Sequence, residues 1–260
     1  MLQTIVQNYY NYYKIFAQAD IIDLYEGSVS WIIPCKGEKG PSIAFRIRLN
    51  DENAEVELRD FIQGIREGKV PPIWHVTPDA TPDNIIEIMK RNGFKDLSEG
   101  SPDPEPTMLL HKNDFIPCAE KNSRIVCRKI GTKKDFKLWI DVVNTALHGW
   151  DMIDAEHYFT WVESNNIKIY LAEINGVAVS TCATIQNGKA ASLEFVSTLE
   201  EYRRRKAAAL LCSCAINDLL NNGAEVVTLS ACGHSAFLYE GLGFKRCFNN
   251  TVLKYDFKLS

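Results

Sequence analysis

Apolar positions in the second half of the chain fall into two rhythms, and each change of rhythm marks an element. Residues 124–130 alternate apolar and polar and predict a strand, whereas 133–147 and 155–163 repeat at helical spacing. Residues 167–174 predict a strand closed by Asn175-Gly176, a pair suited to the positive φ angles of a tight hairpin turn. The chain returns over 177–186, turns again at Asn187-Gly188, and runs a third antiparallel strand over 190–198. A helix follows from about 205 to 222, stopped by Gly223. A strand over 225–231, a short helix over 235–242 and terminal strands between 245 and 258 complete the order βααβββαβαββ. That order predicts an α/β fold with an α+β mixed sheet.

The first half repeats part of this pattern. Gly93-Phe94-Lys95 and Gly243-Phe244-Lys245 lie 150 residues apart. Each follows a strand and a short helix (73–77 then 83–91; 225–231 then 235–242) and precedes a Thr-led apolar strand (107–110; 251–254). This agreement of order and length predicts a structural duplication. Residues 43–49 predict a further strand and 55–67 a helix, and the aromatic opening Tyr9-Tyr10, Tyr12-Tyr13 predicts the packed face of an N-terminal helix. The proline-rich stretch 101–106 and the polar joint Lys121-Asn122-Ser123 put the boundary at 114–123, giving domains over 1–115 and 124–260.

Composition narrows the partners. The net charge of −4 disfavours nucleic acid and anionic membrane. No apolar run approaches the roughly 20 residues of a membrane span, and the N-terminus lacks the pattern of a secretory signal, so a cytoplasmic location is expected. The eight cysteines form no CxxC pair, and Cys212 and Cys214 sit two apart on a predicted helix, facing different ways. The five histidines show no HxxxH spacing. Reduced structural cysteines and no metal are expected.

The chemistry gathers between 192 and 211. A strand ends near Thr198, an acidic turn follows, and Arg203, Arg204, Arg205 and Lys206 open a helix beginning Ala207, Ala208, Ala209. Cations at a helix N-terminus oppose its dipole, an odd choice for a merely solvated helix start. Beside unpaired N–H groups and small side chains they suit a pyrophosphate.

These residues resemble the GNAT superfamily of acetyl-CoA-dependent N-acetyltransferases, which carries a Q/R-x-x-G-x-G/A loop after its fourth strand to hold the CoA pyrophosphate. Arg203 to Ala208 match it at the first and last positions, with Lys206 where the family has glycine. A second block, Leu238-Tyr239-Glu240-Gly241-Leu242-Gly243-Phe244, is similar to the family's LYxxLGF ending, and the resemblance spans about 124–257. It implies acetyl-CoA as donor substrate and a primary amine, on a small molecule or a peptide, as acceptor. It implies Tyr239 as the acid that protonates the departing thiolate, and Val196, Ser197 and Thr198 along the pantetheine arm. Cys232 stands where many members have an asparagine contacting that arm.

Glu194 shares a strand face with Val196 and Thr198 and reads either as the base or as a solvent-facing strand glutamate. His148, Trp150 and Asp151 read either as an amine pocket or as helix-end and core-capping residues. In the first half, Asn50-Asp51-Glu52-Asn53 is acidic and Met89 stands opposite Tyr239, so that half reads as a degenerate copy without a cofactor loop. Lys206 and this lost half also fit a non-catalytic binding or regulatory module.

Overall fold

The computed structural model describes residues 1–100, 105–119 and 124–258. The centre of the proline-rich stretch, 101–104, and the joint at 121–123 lie outside the described residues. The chain forms two compact units, one from residues 1–105 with 249–260, the other from 106–248.

The first unit opens with α1 (Leu2–Lys14), then β1 (Ile22–Tyr25), β2 (Val29–Pro34), β3 (Ile43–Ile47), α2 (Ala54–Arg66), β4 (Ile73–Val76), α3 (Ile85–Arg91) and β5 (Phe94–Asp96). Tyr9, Tyr10 and Tyr13 are buried on α1, as the aromatic pattern predicts. Their hydroxyls find partners: Tyr13 bonds His75 Nδ1 at 3.1 Å, and Tyr10 donates to Asp79 at 2.9 Å. The core closes on Ile47, Leu58, Trp74 and Met89.

The second unit contains β6 (Pro106–His111), β7 (Ile125–Lys129), α4 (Lys133–Val143), α5 (Thr160–Glu163), β8 (Ile167–Ile174), β9 (Val177–Asn187) and β10 (Ala190–Thr198). It ends with α6 (Ala207–Asn221), β11 (Val226–Ser230), α7 (Ala236–Gly241) and β12 (Lys245–Asn249), before the last strand, β13 (Thr251–Tyr255). From β7 onward the elements follow the predicted order βααβββαβαββ in a mixed α/β fold. Two helices differ in extent. The one expected over 133–147 ends at Val143 and passes into a π turn, Asn144–His148. The one expected over 155–163 shrinks to Thr160–Glu163, because Asp154 Oδ1 accepts from the N–H groups of Glu156 (2.8 Å) and His157 (2.9 Å) and ties the segment into a turn.

The sheets exchange one strand each. The seven-stranded sheet runs β12-β6-β11-β10-β9-β8-β7, so β6, entering from the first half, pairs antiparallel with β11 (Thr107 with Ser230, Leu110 with Val227). The six-stranded sheet runs β1-β2-β3-β4-β13-β5, so β13, from the far end of the chain, lies between β4 and β5. The chain therefore passes between units at 105–106 and again at 248–249, not over 114–123. Both exchanged strands are Thr-led and apolar. Such a pattern specifies a strand and its buried face, while leaving open which of two similar sheets receives it.

No helix among the described residues is long and apolar enough to cross a membrane, and no group of three or more His, Cys, Asp or Glu side chains is placed to hold a metal. The eight cysteines form no disulfide.

Candidate active site

The site follows from an interrupted strand pair. β10 and β11 run parallel and pair only from Ala190–Val226 to Ser192–Thr228. Beyond Ser192, β10 bulges between Glu194 and Ser197, with Phe195 at φ 53°, while β9 stays paired on its other side. Ser180 Oγ donates to Ser197 O (2.7 Å) and Thr181 Oγ1 to Phe195 O (2.8 Å), bracing the bulge. Past Ser192 the ladder to β11 stops, opening a slot along residues 193–198 suited to an extended ligand with amide groups.

At the end of β10 the chain turns through Glu200–Tyr202 into the basic loop. Arg204 (φ 60°) and Lys206 (φ 66°) are left-handed, and left-handed residues alternating with ordinary ones turn successive N–H groups into one concavity. Lys206 occupies the backbone state that glycine adopts freely, at a cost of about 1–2 kcal/mol, and its side chain is exposed. The loop thus takes the glycine conformation without the glycine. Lys206 is the N-cap of α6 but supplies no capping bond, so the N–H groups of Ala207, Ala208 and Ala209 have no intrahelical partner. Ala207 is buried and its two successors half-buried. Arg203 Nε donates to Thr198 O at 3.2 Å, Arg205 lies 5.2 Å from the Tyr202 ring centre, and Arg203, Arg204 and Arg205 are exposed.

Glu194 and Tyr239 lie within electrostatic reach of one another. Loss of hydration raises the Glu194 carboxyl to about 8, against the opposing hydrogen bond from Ser192. Burial raises the Tyr239 phenol well above its ordinary value, with the thiols of Cys212, Cys232 and Cys182 and the Glu194 carboxyl adding to the shift, so it stays protonated. Its ring is held edge-on to Phe244, centres 5.9 Å apart. The turn behind it needs Gly243: at φ 100°, a Cβ there would collide with the Asp114 carbonyl oxygen. Val196 and Thr198 are half-buried on β10, and Ser197 is buried with its hydroxyl 2.6 Å from that of Thr181. Cys232 is exposed just past β11.

The π turn packs against β10 and leads through Gly149 into exposed Trp150 and Asp151. His148 is half-buried, burial lowers its imidazole to about 4, and its Nε2 has no hydrogen-bond partner, so the ring is neutral. Asn144 was not singled out in the sequence. Its Nδ2 donates to Ile153 O (2.7 Å) and its Oδ1 accepts from the N–H groups of Met152 and Ile153 (both 3.3 Å), clamping the loop. A lone polar residue among the apolar positions of the helix end was its only signal.

The first unit closes the corresponding place with its own backbone. There the parallel pair β3–β4 is limited to Ala44 with Trp74. The segment after β4 folds back, with Thr81 N–H donating to Ile47 O (3.2 Å) and Leu49 N–H to Thr81 O (3.1 Å). The start of α2 carries Glu55 and Glu57, and Met89 is fully buried.

Residues 143–256 match a family model described as an Acetyltransferase (GNAT) domain; the matched stretch ends in β13, the strand placed in the other sheet. No curated protein matches the chain. Among solved structures it is similar to a GCN5-related N-acetyltransferase from Kribbella flavida, at 14% identity over 94% of this chain and 93% of that one, with a TM-score of 0.67. A tandem GNAT protein from the clavulanic acid biosynthesis pathway matches at 11% identity over 90% and 83%, TM-score 0.63. A GCN5-related N-acetyltransferase from Sphaerobacter thermophilus matches at 13% identity over 88% and 80%, TM-score 0.63. At these identities the structural likeness is one of fold, and the family match adds acyl transfer in general. The chain thus has the fold of GNAT N-acetyltransferases, and its C-terminal half matches the model of their acetyltransferase domain.

Proposed function

We propose that the second unit binds acetyl-CoA and moves the acetyl group to a primary amine, on a small molecule or a peptide, by direct attack within a ternary complex. One observation carries the reading: an open strand edge at β10 leads into a loop of left-handed residues and three unpartnered helical N–H groups. The pantetheine amides lie along Val196, Ser197 and Thr198, with Cys232 across the slot. The pyrophosphate sits on the N–H groups of Ala207, Ala208 and Ala209, with Arg203, Arg204, Arg205 and Lys206 supplying positive charge.

Glu194 and Tyr239 divide the proton work because their surroundings push them to different roles. Glu194, directly or through water, takes the proton from the ammonium. The free amine attacks the thioester carbonyl, N–H groups near Val196 stabilise the oxyanion, and Tyr239 protonates the leaving thiolate. The amine approaches past His148, Trp150 and Asp151, where the Asp151 carboxylate holds the cation and the exposed Trp150 ring covers its carbon chain.

The pH profile tests the base. Below about pH 8 Glu194 carries its own proton, so kcat/KM rises with pH and levels off above that value. Glu194→Gln lowers the plateau by about 10²-fold and removes this limb; the same limb in the variant would exclude Glu194 as the base. Stability gives a second readout. Between the ordinary 4.5 and the folded value of about 8, only the unfolded chain ionises this group, so its contribution falls as pH rises through that window. In the glutamine variant that fall is absent.

A further inference from the structure

The first unit holds a groove that acyl transfer does not use. It is an open groove of about 490 Å³, within the range of small-ligand sites, lined by Arg59, Ile62, Arg66, Arg91, Gly93 and Tyr255 among others. Arg59 and Arg66 project from one face of α2, and Arg91 closes the groove from the last turn of α3.

The charges are not balanced locally. Arg91 meets Glu55 at 3.2 Å, whereas Arg59 has no carboxylate partner among the described residues. Arg66 donates through Nε (3.2 Å) and Nη2 (2.9 Å) to the Tyr255 hydroxyl rather than to a carboxylate. These two bonds fix the plane of its guanidinium and leave its other N–H groups available. Arg66 and Arg91 sit in last turns, where a cation complements the helix dipole, but Arg59 lies mid-helix and gains nothing there. Three guanidiniums, of which only Arg91 has a carboxylate beside it, gather round one hollow in a chain of net charge −4, and an anion between them would lower their mutual repulsion.

The lining is mostly polar, with Ile62 and the Tyr255 ring contributing the apolar part. Ile62 and Tyr255 are buried, and Gly93 at φ 92° keeps the space beside the Tyr255 ring clear, since a Cβ there would come within 3.3 Å of it. Planar forks beside an aromatic ring match a phosphoryl group attached to an organic body.

We propose that this groove binds a small organic phosphate, independently of the acetyl-CoA slot. The test is calorimetric titration of ADP into the full chain, alongside Arg59→Glu and, for the α6 loop, Arg203→Ala/Arg205→Ala. Arg59 is exposed and glutamate is a good helix former, so the substitution leaves the fold intact. The expected result is one ADP site weakened at least about tenfold by Arg59→Glu and retained in the loop variant. Inorganic pyrophosphate, lacking the organic body, binds that site more weakly. Unchanged ADP binding in Arg59→Glu, loss of all binding in the loop variant, or equal affinity for pyrophosphate and ADP overturns the assignment. A failure of acetyl-CoA binding alone leaves it standing.

Discussion

Tyr239→Phe lowers turnover by about 10²-fold or more and leaves acetyl-CoA affinity almost unchanged. The phenol is buried and held protonated by its surroundings, which suits a group that donates as negative charge builds on sulfur. Phenylalanine keeps the ring against Phe244 and therefore the packing of α7. Removing the hydroxyl takes away a proton that matters only when the C–S bond breaks, so the loss falls on kcat rather than on binding. The measurement is the initial rate of CoA release with an amine acceptor found by screening, beside direct titration of acetyl-CoA. An unchanged kcat removes Tyr239 from the mechanism.

The second large effect is structural. Deleting residues 249–260 unfolds the first unit while the second keeps its sheet. β13 lies between β4 and β5, and Leu253 and Tyr255 are almost fully buried there. Removing a large core side chain costs about 2–5 kcal/mol, and here two go together with the ladders on both sides, against a total of about 5–15 kcal/mol for a domain. Amide hydrogen exchange reads the outcome element by element. Protection is lost in β3 and β4 and kept in β8, β9 and β10. Retained protection in β4 would show that the first unit closes without its borrowed strand. By the same reasoning a fragment of residues 124–260 lacks β6, the partner of β11, and fails to form the acetyltransferase sheet.

How legible the chain is depends on the scale of the signal. Strands β8 and β10 are bounded by Asn-Gly turns and alternation, and the sequence places both to the residue. The repeated order of elements round Gly93-Phe94-Lys95 and Gly243-Phe244-Lys245 is equally plain in spacing. The exchange of β6 and β13 is not, because two Thr-led apolar strands of similar length carry no mark of the sheet they join. In the first half, β1 and β2 pass unread, being short and weakly alternating.

The candidate site divides in the same way. Arg203 to Ala209 stand out by type and order, and Tyr239 through the likeness of its block to LYxxLGF. The left-handed state of Lys206, the bulge at Glu194 and the raised carboxyl depend on backbone geometry and packing that no residue pattern expresses. Ser180 and Thr181, which brace the bulge, look in sequence like ordinary polar positions of a strand.

The proposed function requires the slot beside β10 and the start of α6 to hold acetyl-CoA although lysine stands in the glycine position. The decisive measurement is calorimetric titration of acetyl-CoA into the full chain, with Lys206→Gly alongside. Because Lys206 already adopts the left-handed backbone and its side chain is exposed, saturable binding to the wild type, little altered by glycine, is expected. Binding by the glycine variant alone would identify Lys206 as a lesion in the cofactor loop, and binding by neither would contradict the transferase reading altogether.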